Sequence, residues 1–130
     1  ENYVDRCHGA KLGLWETTAQ ENVSRYVLPQ ECGNRTGVRW AEVTDYRGRG
    51  LRFLCAAENG METSVLPYTP HELENARHPN ELPPVYNTVV RVAQQQMGVG
   101  GDDSWGAPVL PQFCYPADKP YTFTFTMKAL

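Results

Sequence analysis

The sequence predicts an all-β fold, an antiparallel β-sandwich with one short helix near residues 69–77, formed by residues 1–130 as a single domain. Three observations predict this fold class. Short segments enriched in β-branched and aromatic residues recur along the chain, joints rich in glycine, proline and asparagine separate them, and a single segment carries helix-start signals. Because 41% of the 130 residues are hydrophobic, the chain has enough apolar material for one core.

Six segments of the chain have the pattern of a β-strand. The first five cover residues 11–19, 37–44, 51–56, 63–66 and 86–94, and the sixth covers residues 121–127. In the last stretch, 121–127, Tyr121, Phe123 and Phe125 alternate with threonines, and this period of two places the three rings on one face of a sheet. Trp15 and Trp40 lie within strand patterns, so we expect both indoles in the core.

One segment has the pattern of a helix. Thr69 is a candidate N-cap, Pro70 occupies the first helical position, and Glu72 stands three residues after the cap. This capping box predicts a helix of about two turns. Residues 29–37, 45–50 and 79–84 are predicted loops.

The charge and the cysteine spacing argue against nucleic-acid-binding, membrane-bound and zinc-binding proteins. The net charge of −3, without a basic cluster, argues against nucleic acid and membranes as partners. No apolar stretch approaches the roughly 20 residues that span a bilayer, and no signal peptide is visible. The four cysteines show no zinc-ligand spacing, and we expect free, mostly buried thiols; they are Cys7, Cys32, Cys55 and Cys114.

The chain carries no complete catalytic set. Asp102 and Asp103 are poor candidates for a glycosidase pair, because the side chains of adjacent residues in an extended backbone point to opposite faces. Glu31 lies in a polar loop, where a salt bridge or a turn hydrogen bond is expected. No nucleophile motif with the spacing Gly-x-Ser-x-Gly occurs, and the three histidines are scattered.

The most informative segment is the loop from Met97 to Trp105. It contains three glycines followed by two carboxylates, a hydroxyl and an indole; these residues are Gly98, Gly100, Gly101, Asp102, Asp103, Ser104 and Trp105. One interpretation is a tight turn next to a core tryptophan. The other is an exposed aromatic face beside hydrogen-bonding groups, which suits a sugar ring.

Several segments, taken in order, match one family. They are Asn2-Tyr3-x-Asp5-Arg6, Gly13-x-Trp15, Tyr26-Val27-x-Pro29-Gln30-Glu31-x-Gly33-Asn34-Arg35, Val38-Arg39-Trp40, Ser64-x-x-x-Tyr68-Thr69, Leu73-x-x-Ala76-x-His78, Leu82, and Met97 to Gly106. On these residues the chain resembles the C-terminal, or small-chain, domain of lac-operon-type β-galactosidases of glycoside hydrolase family 2. The resemblance covers nearly the whole sequence.

The resemblance implies a structure and a function. The domain would be a galactose-mutarotase-like supersandwich, of which this chain supplies roughly the second half. The catalytic glutamates of the retaining hydrolase, and its magnesium and sodium ligands, would lie outside this chain, so we expect no cofactor within it and no activity from it alone. Trp105 would stack on the substrate sugar, and the neighbouring loop residues would hold the loop in shape.

Two departures from the family pattern concern the support of the loop. Cys32 stands where asparagine is usual, and Ala93 stands where an aspartate often precedes the glycines. Neither departure is expected to change the family.

The expected partners are the upstream domains of the same enzyme, or a separate large subunit, and the β-galactoside substrate. Because the first residue is Glu1, not Met, we expect a piece of a longer chain. The full enzyme is expected to be a cytoplasmic homo-oligomer, with a periplasmic or secreted enzyme as the alternative location. The alternative function is a free-standing carbohydrate-binding module without hydrolase activity.

Overall fold

The computed structural model describes residues 13–98, 103 and 105–130. The strands are β1 (Arg35–Val38), β2 (Trp40–Thr44), β3 (Gly50–Leu54), β4 (Met61–Leu66), β5 (Val89–Ala93) and β6 (Thr126–Ala129), and the helix is α1 (Pro70–Asn75). Short 3-10 turns cover Pro79–Glu81 and Pro111–Phe113. No helix in this part of the chain is long and apolar enough to cross a membrane.

The strands form two antiparallel sheets of three strands each. The first sheet has the order β1-β4-β5 and the second has the order β2-β3-β6. The chain passes from the first sheet to the second at Arg39 and returns after β3. At these crossings Cys55 N donates to Arg39 O at 3.1 Å, and Arg39 Nη1 donates to Ala57 O at 2.6 Å. These bonds hold the two crossings together.

The main core lies between the two sheets. Phe53 of the second sheet and Met61 of the first belong to one buried cluster with Cys55, and Met61 is 0% exposed. Val38, Ala41, Val90, Val92 and Phe123 pack against this cluster. Because both sheets contribute to a shared core, the predicted antiparallel β-sandwich is confirmed.

A smaller core covers the opposite face of the first sheet. Leu66 of β4 packs there with Cys32 and with Leu73 of α1. The helix begins as predicted: Glu72 N donates to Thr69 Oγ1 at 3.2 Å, and Thr69 N donates to Glu72 Oε2 at 2.7 Å. The capping box is therefore confirmed, with Thr69 as the N-cap and Pro70 at the start of the helix.

Two predictions about tryptophan are wrong. Trp15 is 72% exposed and lies in a segment, 13–19, that forms no strand; residues 11 and 12 lie outside the described residues. Trp40 is 50% exposed although it begins β2. Its neighbour Ala41 pairs with Phe53 on the core side, so the alternation of the strand places Trp40 on the outer face of the second sheet.

The predicted alternation at 121–127 is partly correct. Phe123 and Phe125 stack with their ring centroids 5.3 Å apart, and Phe125 lies 6.4 Å from Phe53, so these two rings share the core side. Tyr121 packs edge-on against Tyr115 instead, and β6 begins only at Thr126. The strand therefore begins five residues after the predicted start of the segment, at Thr126 instead of Tyr121.

Other predictions differ in detail. The predicted strand 37–44 is interrupted at Arg39, and part of the predicted loop 29–37 is the strand β1. Among the described cysteines, Cys32 and Cys55 are free and buried as expected, whereas Cys114 is free and exposed. Cys7 lies outside the described residues.

Candidate functional site

The loop that carries Trp105 is described in part. Gly98, Asp103 and Trp105 have described positions, and the remaining predicted site residues lie outside the described residues; these are Gly100, Gly101, Asp102 and Ser104. The structure therefore locates the two ends of the loop and its indole.

The turn around Trp105 is built on one carboxylate oxygen. Asp103 Oδ1 accepts the backbone N–H of Trp105 at 2.8 Å and the backbone N–H of Ala107 at 3.3 Å. An aspartate that bonds amides two and four residues further along fixes the course of the chain on both sides of Trp105. Gly106 continues the turn at φ +117, a backbone region that favours glycine.

The other end of the loop is attached to a distant segment. Gly98 N donates to Phe113 O at 2.8 Å, and Gly98 itself is buried. Sequence reasoning did not find Phe113, because its role is a backbone carbonyl supplied by a long-range contact, which leaves no residue-type signal. The loop is thus bonded to the 3-10 turn Pro111–Phe113 at Gly98, the first of its glycines, and is turned by Asp103 after the last of them.

The indole of Trp105 projects from this turn. It is 93% exposed, so the interpretation as a core tryptophan is wrong and both ring faces are accessible. An exposed indole on a fixed turn offers a flat apolar surface that loses little conformational entropy when it is covered. The arrangement is suited to stacking against a flat apolar surface such as one face of a sugar ring.

A cleft of mixed polarity adjoins the segment that leads into the loop. Its volume is about 430 Å³, within the range of small-molecule sites. The cleft is lined by methyl groups, a phenyl ring, amides, hydroxyls and a carboxylate, supplied by Ala56, Ala57, Glu58, Asn59, Gly60, Gln94, Gln95, Thr122, Phe123 and Thr124. Gln94 and Gln95 directly follow β5 and precede Met97. Sequence reasoning did not find this cleft, because three distant segments form it.

The other charged groups of interest have structural partners. Glu31 forms the expected salt bridge, with Arg91 of β5, whose Nε also donates to Ser64 Oγ at 3.3 Å. The hydrogen bond from the Tyr86 hydroxyl, 2.6 Å from Glu72 Oε1, lowers the pKa of the Glu72 carboxyl, and the N-cap bonds of Thr69 lower that pKa further. These contacts stabilise the first sheet and α1, and they give Glu31 and Glu72 structural roles.

The described side chains that could bind a metal ion do not converge on one point. Among the described residues, no group of three or more His, Cys, Asp or Glu side chains is placed to hold a metal ion. The donor set that this part of the chain offers therefore does not fit magnesium or another resident metal.

Comparison with known proteins identifies the family. Residues 1–127 match the family model described as beta galactosidase small chain. The chain is 50% identical over 125 residues to a β-galactosidase of Halalkalibacterium halodurans and 49% identical over 130 residues to a β-galactosidase of Priestia megaterium. These alignments cover 96% and 100% of this chain, respectively, and 12% of each relative.

A third relative is a separate subunit. The chain is 36% identical over 137 aligned positions to the β-galactosidase small subunit of Latilactobacillus sakei, with 96% of this chain and 42% of that subunit covered. The chain thus spans 12% of the length of the two larger relatives and less than half of the small subunit. A family match over nearly every residue leaves no ambiguity about membership: this chain belongs to the β-galactosidase small chain family.

Proposed function

We propose that the chain is the C-terminal small-chain domain of a lac-operon-type, family 2 β-galactosidase, which hydrolyses terminal non-reducing β-D-galactose residues. Its larger relatives bear the name β-galactosidase, and the chain corresponds to 12% of their length. Retaining hydrolysis requires two carboxyl groups about 5–5.5 Å apart. In our proposal both are glutamates outside this chain, so the isolated chain has no hydrolase activity.

The chain contributes structural closure and one substrate contact to that enzyme. Trp105 stacks on the galactosyl ring of a substrate bound mainly by another domain. The observation that carries this proposal is the 93% exposure of an indole on a turn held by Asp103. A galactose ring has an apolar patch of C–H bonds on one face, and that patch matches the exposed surface of an indole in size and polarity.

The expected contribution of the contact follows from the area that it covers. One ring face is roughly a third of the ~200 Å² that a tryptophan can bury, and at ~25 cal/mol per Å² this gives about 1.7 kcal/mol. Stacking geometry adds ~1 kcal/mol, and ordering of the side chain costs about as much. Loss of the indole should therefore weaken sugar binding by ~1.5–2 kcal/mol, or roughly 10- to 30-fold.

The experiment compares two exposed tryptophans in the longer β-galactosidase that carries this chain. Trp105→Ala should raise KM for an aryl β-galactoside and the inhibition constant of galactose by the same roughly 10- to 30-fold factor. Trp15→Ala is the matched control, because Trp15 is also exposed, at 72%, and should leave both constants unchanged. Unchanged constants in Trp105→Ala, or equal effects of the two substitutions, would contradict the stacking role.

The cleft beside the loop favours a second candidate function. Its volume of about 430 Å³ and its combination of apolar groups with amides and hydroxyls are compatible with a small polar ligand such as a sugar. A free-standing carbohydrate-binding module would use it without a catalytic domain. Titration of galactose and of lactose into the isolated chain separates the two functions, since millimolar or tighter binding supports the module and absence of binding supports the enzyme component.

Other properties of the enzyme stay proposals. In our proposal the magnesium and sodium ions that the resemblance implies bind residues outside this chain, and the donor groups of the described residues form no metal site. The upstream domains, or a large subunit, are the proposed partners, and the name of the Latilactobacillus sakei relative supports the second arrangement. Homo-oligomerisation and a cytoplasmic location likewise stay predictions.

A further inference from the structure

Asn59 stands directly before Gly60 in the connection between β3 and β4. No other asparagine of the sequence precedes a glycine; the others are Asn2, Asn22, Asn34, Asn75, Asn80 and Asn87. Because glycine has no Cβ atom, its backbone nitrogen can approach the preceding side chain with little steric hindrance. The pair therefore has the residue types that favour attack of a backbone nitrogen on an asparagine side chain.

The Asn59 side chain is accessible to water. Asn59 is exposed and lines the cleft of about 430 Å³, whereas the next residue, Gly60, is buried. The preceding residue, Glu58, is exposed as well, so the turn meets solvent on the side that carries the two side chains. Water is thus available at the amide of Asn59 both as a proton acceptor and as a reactant.

The turn itself holds the two reacting groups apart. Gly60 N donates to Ala57 O at 2.9 Å, so the proton that must leave this nitrogen is held in a hydrogen bond. No described non-glycine residue has a positive φ, so Glu58 and Asn59 fit the centre of a type I turn. The ψ angle of the third residue of such a turn is about 0°. At this angle Cβ of Asn59 is not eclipsed with Gly60 N, as closure of a five-membered ring requires, so the turn must open before the two groups can react.

We propose that Asn59 is a site of spontaneous modification, at which opening of the turn converts the asparagine to aspartate and isoaspartate. Gly60 N loses its proton to water and forms a bond to Asn59 Cγ, and the bond between Cγ and Nδ2 breaks with release of ammonia. Water then opens the cyclic imide. Addition at Cγ gives aspartate, whereas addition at the backbone carbonyl carbon of residue 59 gives isoaspartate. Water is the co-reactant, and nothing is oxidised or reduced.

The two products differ in their effect on the fold. Aspartate keeps the backbone and adds one negative charge beside Glu58 on an exposed turn, where charge interactions are weak. Isoaspartate places its Cβ atom in the main chain, so Gly60 must move. Movement toward β1 is blocked, because a Cβ atom built on Gly60 already meets Gly37 C and Val38 O, each at 2.7 Å. Movement away from β1 draws Met61, which is 0% exposed, out of the main core.

Peptide mapping by mass spectrometry tests the site and its protection by the turn. The 130-residue chain is incubated at mildly alkaline pH with and without guanidinium chloride, and conversion of amide to acid is measured at each asparagine. In denaturant Asn59 should convert faster than every other asparagine. In the folded chain its rate should be at least about tenfold lower, because the turn must first open. Faster conversion at another asparagine in denaturant, or equal rates at Asn59 in the two conditions, would overturn the proposal.

Asn59→Gln is the matched variant. It keeps a side-chain amide before Gly60, but the same attack would have to close a six-membered ring, which forms more slowly. Over the period in which half of the original chain reacts in denaturant, Asn59→Gln should form no acid at residue 59. Acid at residue 59 at the same rate in both chains would overturn the mechanism.

Urea unfolding of the separated products tests the structural consequence. Ion exchange isolates the converted chain, because it carries one additional negative charge. After refolding, its isoaspartate fraction should unfold at a midpoint at least about 0.5 M below that of the unreacted chain, as expected for overpacking at Gly60. Asn59→Asp has the same charge without the additional backbone atom and should keep the original midpoint. An unchanged midpoint in the isoaspartate fraction, or an equal decrease in Asn59→Asp, would overturn this consequence. These measurements need no substrate, so their outcome is independent of the proposed function.

Discussion

Replacement of Gly60 by alanine tests the crossing between the two sheets. Gly60 has φ +68, precedes the buried Met61, and lies against the backbone at the end of β1. A Cβ atom there would meet Gly37 C and Val38 O, each at 2.7 Å. Both contacts are with backbone atoms, so neither can be relieved by rotation of a side chain.

Gly48 provides the matched control. Its φ of +77 is similar, but a Cβ atom there would meet nothing within 4 Å. Both alanine substitutions carry the backbone cost of a positive φ, ~1 kcal/mol, and both lower the entropy of the unfolded chain equally. Gly60→Ala adds overpacking of ~2 kcal/mol. We therefore expect the free energy of unfolding to fall by about 1 kcal/mol in Gly48→Ala and about 3 kcal/mol in Gly60→Ala.

Urea unfolding followed by fluorescence measures the difference. With a typical slope of ~2 kcal/mol per M, the midpoint of Gly60→Ala should lie about 1 M below that of Gly48→Ala. Equal midpoints would show that the backbone of β1 does not lie as close to Gly60 as described. The reasoning about the packing of the first sheet would then be refuted.

Three further predictions concern local contacts. Asp103→Ala removes the acceptor of two amides around Trp105 and should increase the indole's mobility, measured by fluorescence anisotropy, with under ~1 kcal/mol lost from global stability. Thr69→Ala removes the N-cap of α1 and should lower the free energy of unfolding by ~1 kcal/mol in urea. The hydrogen bond from Tyr86 is the largest of the contacts that lower the pKa of Glu72 in the folded chain. The ionised Glu72 carboxylate therefore stabilises the fold fully above the ordinary carboxyl pKa, and this stabilisation is lost as the pH falls through the lower folded-state pKa. Tyr86→Phe should therefore raise the pKa of Glu72, measured by carboxyl NMR, and make stability less dependent on pH in acid.

Features with local causes were predicted well from the sequence. The helix at Thr69 begins with hydrogen bonds between Thr69 and Glu72, which are only three residues apart, so the sequence pattern alone indicates them. The short strands β3, β4 and β5 each lie largely within a predicted strand segment, and β5, which contains three valines, shows the β-branched enrichment most clearly. Glu31 was expected in a salt bridge, although the sequence could not indicate Arg91 as its partner.

Burial was predicted less well because it depends on what covers each face. The alternation around Trp40 is that of a strand, but the choice of core face was set by Phe53, which is distant in sequence. Phe123 and Phe125 lie on the core side, whereas Tyr121 packs against the Tyr115 ring. For Trp105, neighbouring glycines and carboxylates allowed either a core or an exposed indole, and only the three-dimensional course of the loop decides between them.

In our proposal Trp105 contacts a sugar that is held by the rest of a β-galactosidase. Incorporation of fluorotryptophan, with the Trp105 signal assigned by its loss in Trp105→Phe, permits a direct test by fluorine NMR. In the longer enzyme, a galactoside inhibitor should shift the Trp105 signal and leave that of the exposed Trp15 unchanged, while in the isolated chain neither signal should move. An unmoved Trp105 signal in the inhibitor-saturated enzyme would contradict the account, and a shift in the isolated chain would establish a sugar-binding module instead.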